Sequence, residues 1–233
     1  MRLAILTFDG FNEIDTFLIF HVLNRVRHAD WIVELCGPTH SVVSMNGVTI
    51  TPLIPLELAG KADAVVIGSG TQTRVIARDQ GLMRRLHLDP ENQLIASQCS
   101  GALILAQLGL LGTQTVCTDR KTATYPEAAK LNIVDSAFHC QGNIATAGGC
   151  LSSHYLAAWL IPRLVGPKEA EAALRDVVPV GEEEDYIARA LRTVSPFVSS
   201  TISESEPTCL RRRSSLAIAV YRSVSGRTTR RCA

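Results

Sequence analysis

The order of apolar and helix-length segments along the chain is the feature that most limits its fold. Five short, nearly continuous apolar runs occupy residues 3–8, 31–36, 62–70, 93–99 and 143–149. Runs of this length are typical of strands that are buried on both faces of a sheet. Segments long enough for helices follow four of these runs, at 14–26, 73–88, 101–112 and 150–166. This alternation predicts an α/β domain with a doubly wound, mostly parallel sheet and helices on both faces.

Two further segments complete the predicted domain. Residues 41–52 contain the pair Asn46-Gly47, which favours a type I′ turn, so we predict a β-hairpin inserted at this point. Residues 180–194 predict a final helix, because the acidic residues in its first turn suit the positive end of the helix dipole.

The composition of the chain changes after Val198. Residues 199–233 hold eight serines and seven arginines, which is typical of a poorly ordered tail. We therefore predict one domain over 1–198 and a Ser/Arg-rich tail over 199–233. The formal net charge of +1 gives no reason to expect a nucleic-acid or membrane partner. No apolar stretch is long enough to span a bilayer and no signal-peptide pattern is present, which favours a cytoplasmic location.

The seven cysteines and six histidines give no metal-binding pattern. The cysteines are odd in number, scattered and without a CxxC pair, so they predict neither a disulfide framework nor a zinc site. Most of them are expected to be small buried apolar residues. The histidines form no HxxxH or HExxH pattern, and His139 and His154 are expected in the core or on the surface. We predict no metal ion and no cofactor.

Cys99 differs from the other cysteines because it lies between an apolar run and a helix-forming segment. Ligands of open α/β sheets bind beyond the carboxyl ends of the strands. A thiol at the start of a helix is predicted to favour the thiolate, and nearby free N–H groups can stabilise an oxyanion. Gly101 and Ala102 allow close packing beneath such a turn, as in a nucleophile elbow. Ser100 is the rival nucleophile, but Gln98 stands where a serine elbow usually has glycine.

Two other strand ends are expected at the same edge of the sheet. The segment Gly68–Gly70 has small residues that let backbone N–H groups approach a substrate; it lacks the spacing of a phosphate-binding glycine loop. The loop after the first strand offers Asp9, Glu13 and Asp15. A carboxylate facing Cys99 could transfer protons to and from a substrate, although an aspartate at position 15 could instead cap the following helix.

These segments together resemble the ThiJ/PfpI group of the class I glutamine-amidotransferase-like superfamily. The resemblance covers residues 1–197 and rests on the acidic loop, the GSG turn, QCSGALILAQLGLL and GNIATAGGCLSSHYLAAWLI. It implies a flavodoxin-like sheet. Within the group, the chain is most similar to isonitrile hydratases and to the amidotransferase-like domains of some transcription regulators.

The resemblance implies roles for individual residues. It places Cys99 as the nucleophile, followed by Ser100, with Asp15 as the acid, and the N–H groups of Gly70 and Ser100 are candidates for stabilising negative charge. Protease-like members have histidine directly after the cysteine, and true amidotransferases have a downstream His-x-Glu pair; this chain has neither. The hydratases have a TTH-like stretch after the elbow helix. Here the candidate substrate-binding residues are Thr118 and Asp119, the aspartate standing in the position of that histidine.

Three functions are compatible with these residues. The first is a cofactor-free enzyme that hydrates a small electrophilic compound, converting an isonitrile to an N-substituted formamide through Cys99. The second is a redox-sensing or regulatory protein without catalysis, since an exposed thiol of low pKa oxidises readily. The third is a deglycase or glyoxalase-like activity. The resemblance also implies a homodimer.

Overall fold

The computed structural model describes residues 1–198, so the predicted tail at 199–233 lies outside the described residues. The described residues belong to one compact unit. Their strands, in chain order, are β1 Arg2–Leu6, β2 Ile32–Gly37, β3 Val42–Val43, β4 Thr49–Ile50, β5 Ile54–Pro55, β6 Ala64–Ile67, β7 Leu94–Gln98, β8 Thr115–Val116, β9 Asn132–Ile133, β10 Phe138–Gln141 and β11 Ile144–Ala147.

Seven of these strands form the central sheet, in the order β10-β11-β7-β6-β1-β2-β5. Every pair is parallel except β10 with β11. The five apolar runs correspond to β1, β2, β6, β7 and β11, which confirms the predicted strands. Since the chain passes from β1 to β2 on one side and to β6 and β7 on the other, the strand order reverses beside β1. The sheet is therefore doubly wound, with its ligand crevice expected at this reversal.

Helices cover both faces of the sheet, as predicted. Apolar side chains of the first, fifth, sixth and seventh helices share one core, and those of the second, third and fourth share the other. Among residues 1–198, no helix combines the length and the apolar character needed to cross a membrane. The helices are α1 Glu13–Leu23, α2 Thr73–Arg78, α3 Gln80–Met83, α4 Ala102–Gln107, α5 Ser153–Leu164, α6 Pro167–Arg175 and α7 Glu183–Val198.

The predicted helix at 73–88 is broken in the structure. Helix α2 ends before Asp79, whose side-chain oxygen accepts a hydrogen bond of 3.0 Å from the Leu82 N–H and so caps α3. Aspartate competes for backbone N–H groups in this way, which ends one helix and starts another. The predicted helix at 150–166 begins later than expected, because residues Cys150–Ser152 form a short 3-10 turn before α5.

The β-hairpin between 41 and 52 is present, but its turn differs from the predicted type. Strands β3 and β4 pair antiparallel, and the Gly47 N–H donates to the Ser44 carbonyl oxygen at 3.2 Å. A type I′ turn requires positive φ at both Asn46 and Gly47. Only Gly47 has it, with φ of 90°. The prediction of a hairpin is confirmed, and the prediction of a type I′ turn is wrong.

Candidate active site

Four neighbouring strands bring the candidate residues to one edge of the sheet. Strands β11, β7, β6 and β1 are adjacent and parallel, so their carboxyl ends lie side by side. Cys99 directly follows β7, and Ser69 is two residues beyond β6. Asp15 lies in the first turn of α1, which follows β1. Three chain segments that are far apart in sequence therefore meet where ligands of such sheets bind.

Cys99 has the backbone conformation of a nucleophile elbow. Its φ is 48°, and it is the one non-glycine residue among 1–198 with positive φ. Such a conformation costs about 1–3 kcal/mol and persists where the surroundings hold it. The Thr118 hydroxyl donates to the Cys99 carbonyl oxygen at 2.8 Å. Beneath the turn, a Cβ on Gly101 would lie only 2.6 Å from the Ile67 carbonyl oxygen, so glycine is needed for this close packing.

Asp15 is buried and faces the elbow. Helix α1 is capped by Asn12, so the alternative role of Asp15 as a helix cap is wrong. The Ser69 hydroxyl donates to Asp15 Oδ2 at 2.5 Å, whereas Asp15 Oδ1 has no hydrogen-bond partner among the described residues. A carboxylate oxygen of Asp15 and the sulfur atoms of Cys99 and Cys150 all lie within 4.8 Å of one another. The free oxygen is therefore available to a thiol or a bound substrate.

The other two carboxylates of the acidic loop serve the hairpin instead. Glu13 accepts hydrogen bonds from the Ser44 hydroxyl and, at 2.9 Å, from the Asn46 side-chain amide. Asp9 accepts at 2.9 Å from the Val43 N–H. Both carboxylates thus fix the hairpin against the start of α1, and Asp15 is the acid that the structure brings to Cys99.

Burial sets the protonation of the two central groups. It raises the pKa of the Asp15 carboxyl, although the hydrogen bond from Ser69 acts in the opposite direction. Burial, and after it the negative charge of Asp15, also raises the pKa of the Cys99 thiol. This direction is opposite to the one predicted from the helix start, because burial disfavours the charged thiolate. The pair instead holds a thiol beside a carboxylate that accepts a proton readily.

Ser100 and Gly70 face each other across the elbow. The Gly70 N–H donates to the Ser100 hydroxyl oxygen at 3.4 Å, and that hydroxyl donates to Thr73 Oγ1 at 3.0 Å. A Cβ on Gly70 would lie 2.3 Å from the Gly10 carbonyl oxygen, so only glycine fits this approach. The Ser100 hydroxyl is thus occupied by Thr73, while the long contact from Gly70 leaves that N–H able to turn to a stronger acceptor.

A cavity of about 230 Å³ opens above these residues. Asp119 lines it and accepts a hydrogen bond of 2.9 Å from the Thr122 N–H. Thr118, predicted to bind substrate, is not among the residues that line this cavity, and its hydroxyl donates to the Cys99 carbonyl oxygen. The residues that line the cavity include Arg74, Cys99, Ser100, Asp119, Lys121, Tyr125 and Cys150.

Cys150 is the site residue that sequence reasoning missed. It follows Gly148 and Gly149 at the carboxyl end of β11, next to β7, so the rule applied to Cys99 would also have found it. Its side chain is half-buried and lines the cavity. Two sulfurs and a carboxylate oxygen are donors that zinc accepts, so the absence of a metal stays a prediction.

Comparisons with known proteins agree with this fold. The family model described as DJ-1/PfpI family matches residues 1–161. No curated protein matches the chain. Among solved structures, Schizosaccharomyces pombe DJ-1 is 14% identical, with a TM-score of 0.65 over 77% of this chain and 100% of that chain. Drosophila melanogaster DJ-1beta is 20% identical, with a TM-score of 0.64 over 76% of this chain and 96% of that chain.

A bacterial structure shows the same likeness. A DJ-1 superfamily protein from Salmonella typhimurium, STM1931, is 21% identical, with a TM-score of 0.65 over 76% of this chain and 97% of that chain. At these identities the structures share the fold, and the chemistry has to be argued from the residues of this chain.

Proposed function

The chain belongs to the DJ-1/PfpI family, and we propose that it is a cofactor-free cysteine enzyme that hydrates a small electrophilic carbon compound. The proposed reaction converts an isonitrile and water to an N-substituted formamide. The observation that supports it most is the buried Asp15 carboxylate, which faces the Cys99 sulfur with one oxygen free. This pair can deliver a nucleophile and a proton to the same carbon atom.

In the first half of the reaction, the Cys99 sulfur attacks the terminal carbon of the isonitrile. The thiol proton passes to Asp15, whose raised pKa makes its carboxylate a good acceptor. Asp15 then gives this proton to the attacked carbon. A carbon–sulfur bond and a carbon–hydrogen bond form, and the product is a thioimidate on Cys99.

In the second half, water replaces the sulfur. Asp15 takes a proton from the water as the water oxygen attacks the thioimidate carbon, and it passes this proton to the nitrogen. The carbon–sulfur bond then breaks, the hydroxyl proton of the adduct passes through Asp15 to the departing Cys99 sulfur, and the formamide leaves with the thiol restored. Negative charge that develops during these steps lies near the elbow, where the Gly70 and Ser100 N–H groups are our candidates for stabilising it.

Asp119 and Lys121 influence which substituents of a substrate the site accepts. Both line the cavity, and they carry opposite charges. The isonitrile hydratases that the chain resembles have histidine at the position of Asp119. A carboxylate there disfavours substrates with an anionic group close to the reacting carbon, because two like charges at short range repel each other.

A panel of small electrophiles tests this proposal. We expect the purified protein to convert at least one aliphatic or aromatic isonitrile to its formamide, measured by chromatography, and Cys99→Ala to be inactive. The matched control is Cys117→Ala, which removes a buried thiol that does not line the cavity. Loss of methylglyoxal without isonitrile turnover would favour the deglycase or glyoxalase-like alternative. Equal turnover by wild type and Cys99→Ala would exclude a Cys99 nucleophile.

We also propose that the protein is a cytoplasmic homodimer, on the basis of its resemblance to the family. Light scattering at micromolar concentration is expected to give twice the 25.2 kDa of one chain. A mass equal to one chain over the same concentration range would contradict the dimer.

A further inference from the structure

A second thiol shares the site with Cys99 and has no role in the proposed hydration. The Cys150 and Cys99 sulfur atoms and an Asp15 carboxylate oxygen lie within 4.8 Å of one another. The two cysteines follow neighbouring parallel strands, β11 and β7, so the sheet itself places them side by side. Since they lie 51 positions apart along the chain, their approach is a property of the fold.

The backbone of Cys150 is held against the elbow. The Gln98 side chain, directly before Cys99, donates hydrogen bonds of 3.2 Å to the Gly149 carbonyl oxygen and 2.6 Å to the Cys150 carbonyl oxygen. Its own side-chain oxygen accepts from the Ser153 hydroxyl at 2.7 Å. These bonds connect the residue before one thiol to the backbone of the other, and so limit how far the two can separate.

The Cys150 side chain is less confined than its backbone. It is half-buried, whereas only 3% of the Cys99 surface is exposed. The Asn12 side-chain amide donates a hydrogen bond of 3.2 Å to the Cys150 sulfur, which holds it over the cavity. A disulfide bond requires the two sulfurs to come to about 2.05 Å, and because they lie within 4.8 Å of each other, the movement needed is at most about 2.8 Å. The half-buried Cys150 side chain, which lines the cavity, is the less confined of the two and is the one we expect to move.

We propose that Cys150 is a resolving cysteine, which forms a reversible disulfide with Cys99 after a hydroperoxide has oxidised Cys99 to its sulfenic acid. In the first step, the Cys99 sulfur attacks the outer peroxide oxygen. A sulfur–oxygen bond forms and the oxygen–oxygen bond breaks. The sulfur is oxidised by two electrons, the peroxide is reduced to an alcohol or to water, and Asp15 passes the thiol proton to the leaving oxygen.

In the second step, the Cys150 sulfur attacks the sulfenic sulfur of Cys99. The sulfur–sulfur bond forms, the sulfur–oxygen bond breaks, and the released hydroxide leaves as water with the proton of the Cys150 thiol. Asp15 Oδ1, which has no other partner among the described residues, is placed to accept a hydrogen bond from the sulfenic acid while Cys150 approaches. A dithiol reductant returns both residues to thiols.

Such a disulfide protects Cys99 and closes the site. A sulfenic acid without a neighbouring thiol proceeds to sulfinic acid, which ordinary thiols do not reverse. The disulfide ends this sequence at a reversible stage and removes the nucleophile from the cavity. The inference goes beyond the proposed hydration and does not depend on it, since both steps require only the two thiols, the carboxylate and a peroxide.

Mass spectrometry of the full chain tests the proposal. After treatment with hydrogen peroxide in the presence of a metal chelator, wild type is expected to lose two hydrogen atoms and to regain them with dithiothreitol. Fragment spectra of the tryptic digest are expected to join Cys99 to Cys150. Cys150→Ser is expected to lose this link completely and to gain two oxygen atoms at Cys99, which dithiothreitol does not remove.

The matched control is Cys140→Ser, which removes a different thiol from the same tryptic peptide, 131–163. It is expected to retain the link, and circular dichroism of both variants checks that they are folded. Sulfinic acid at Cys99 in wild type, forming as fast as in Cys150→Ser, would overturn the proposal. A link from Cys99 to Cys209 or Cys232 in place of Cys150 would overturn it as well.

Discussion

Asp15→Asn is expected to lower turnover of the proposed reaction by about 10² or more while the protein stays folded, because this is the usual weight of a general acid–base group. The amide is nearly the same size as the carboxyl and can still bond to Ser69, but it cannot accept the thiol proton or return it to carbon. The measurement is kcat and kcat/KM with the best isonitrile of the panel. A fall in kcat with little change in KM is expected, since Asp15 acts on the reacting atoms.

The matched control for this variant is Glu13→Gln. Glu13 lies two residues earlier but bonds to the hairpin, so its replacement is expected to leave turnover close to wild type. Alkylation of Cys99 is expected to respond to Asp15→Asn in the opposite direction from turnover. Because the charge of Asp15 raises the Cys99 pKa, Asp15→Asn is expected to speed the labelling of Cys99 by iodoacetamide at neutral pH. Loss of turnover in Glu13→Gln, together with wild-type turnover in Asp15→Asn, would show that Glu13 and not Asp15 is the acid.

Stability provides a third readout of Asp15→Asn. The folded-state pKa of Asp15 is raised, so this carboxyl favours the folded state below its unfolded pKa, and that contribution is lost as pH rises through the folded value. As pH rises through the folded value, the native protein takes on a buried charge that Asn avoids. We therefore expect the Tm of Asp15→Asn to rise relative to that of wild type as pH increases over this range, and the difference to disappear in acid.

Gly101→Ala is expected to destabilise the protein by about 1–3 kcal/mol and to reduce turnover, through overpacking beneath the elbow. Its Cβ would lie 2.6 Å from the Ile67 carbonyl oxygen and 2.9 Å from that of Gly68. These carbonyl oxygens belong to the last residue of β6 and to the residue after it, and backbone atoms cannot rotate away as a side chain can. The strand and the elbow have to separate, which displaces Cys99 from Asp15. Urea denaturation gives the free energy of unfolding.

The matched control is Gly81→Ala. Gly81 lies in α3, where the nearest atom to a new Cβ is a side-chain oxygen of Asp79, at 3.0 Å. This oxygen caps α3 but belongs to a side chain that can shift, so the variant is expected to destabilise the protein less than Gly101→Ala, whose new Cβ meets backbone atoms. Equal midpoints for Gly101→Ala and wild type would show that the close packing under the elbow does not limit stability.

The sheet could be predicted from sequence because its strands are buried on both faces and so read as unbroken apolar runs. Local competition was harder to predict. Asp79 ended the predicted helix after residue 78. Asn46 did not take the positive φ that the Asn-Gly pair favours, because the hairpin closes instead through the hydrogen bond from the Gly47 N–H to the Ser44 carbonyl oxygen. The Asp79 cap is a local hydrogen bond to Leu82, whereas the Asn46 side chain bonds to Glu13, on a segment that meets the hairpin only in the folded chain.

At the site, the positions of Asp15 and Cys99 could be predicted from the sequence, but the direction in which the pKa of Cys99 shifts could not. The ends of β1, β6 and β7 placed Asp15 and Cys99 at one edge, because parallel strands bring their carboxyl ends together. The pKa of Cys99 depends on how deeply the folded chain encloses it, and a helix start in the sequence says nothing about that. Cys150 was missed because its motif was taken as evidence of the family alone, although it stands at a strand end as Cys99 does.

At Cys99, the left-handed backbone conformation that positions the nucleophile also lowers the stability of the fold. Glycine, which lacks a Cβ, adopts positive φ without strain, whereas cysteine does not. The ordered core around β6 and β7 must therefore hold Cys99 in a conformation that an isolated chain would avoid. Selection for thermal resistance alone would therefore favour glycine at this position and discard the nucleophile. Substitutions meant to raise the stability of this protein should leave Cys99 unchanged and be placed on the helices farthest from the elbow.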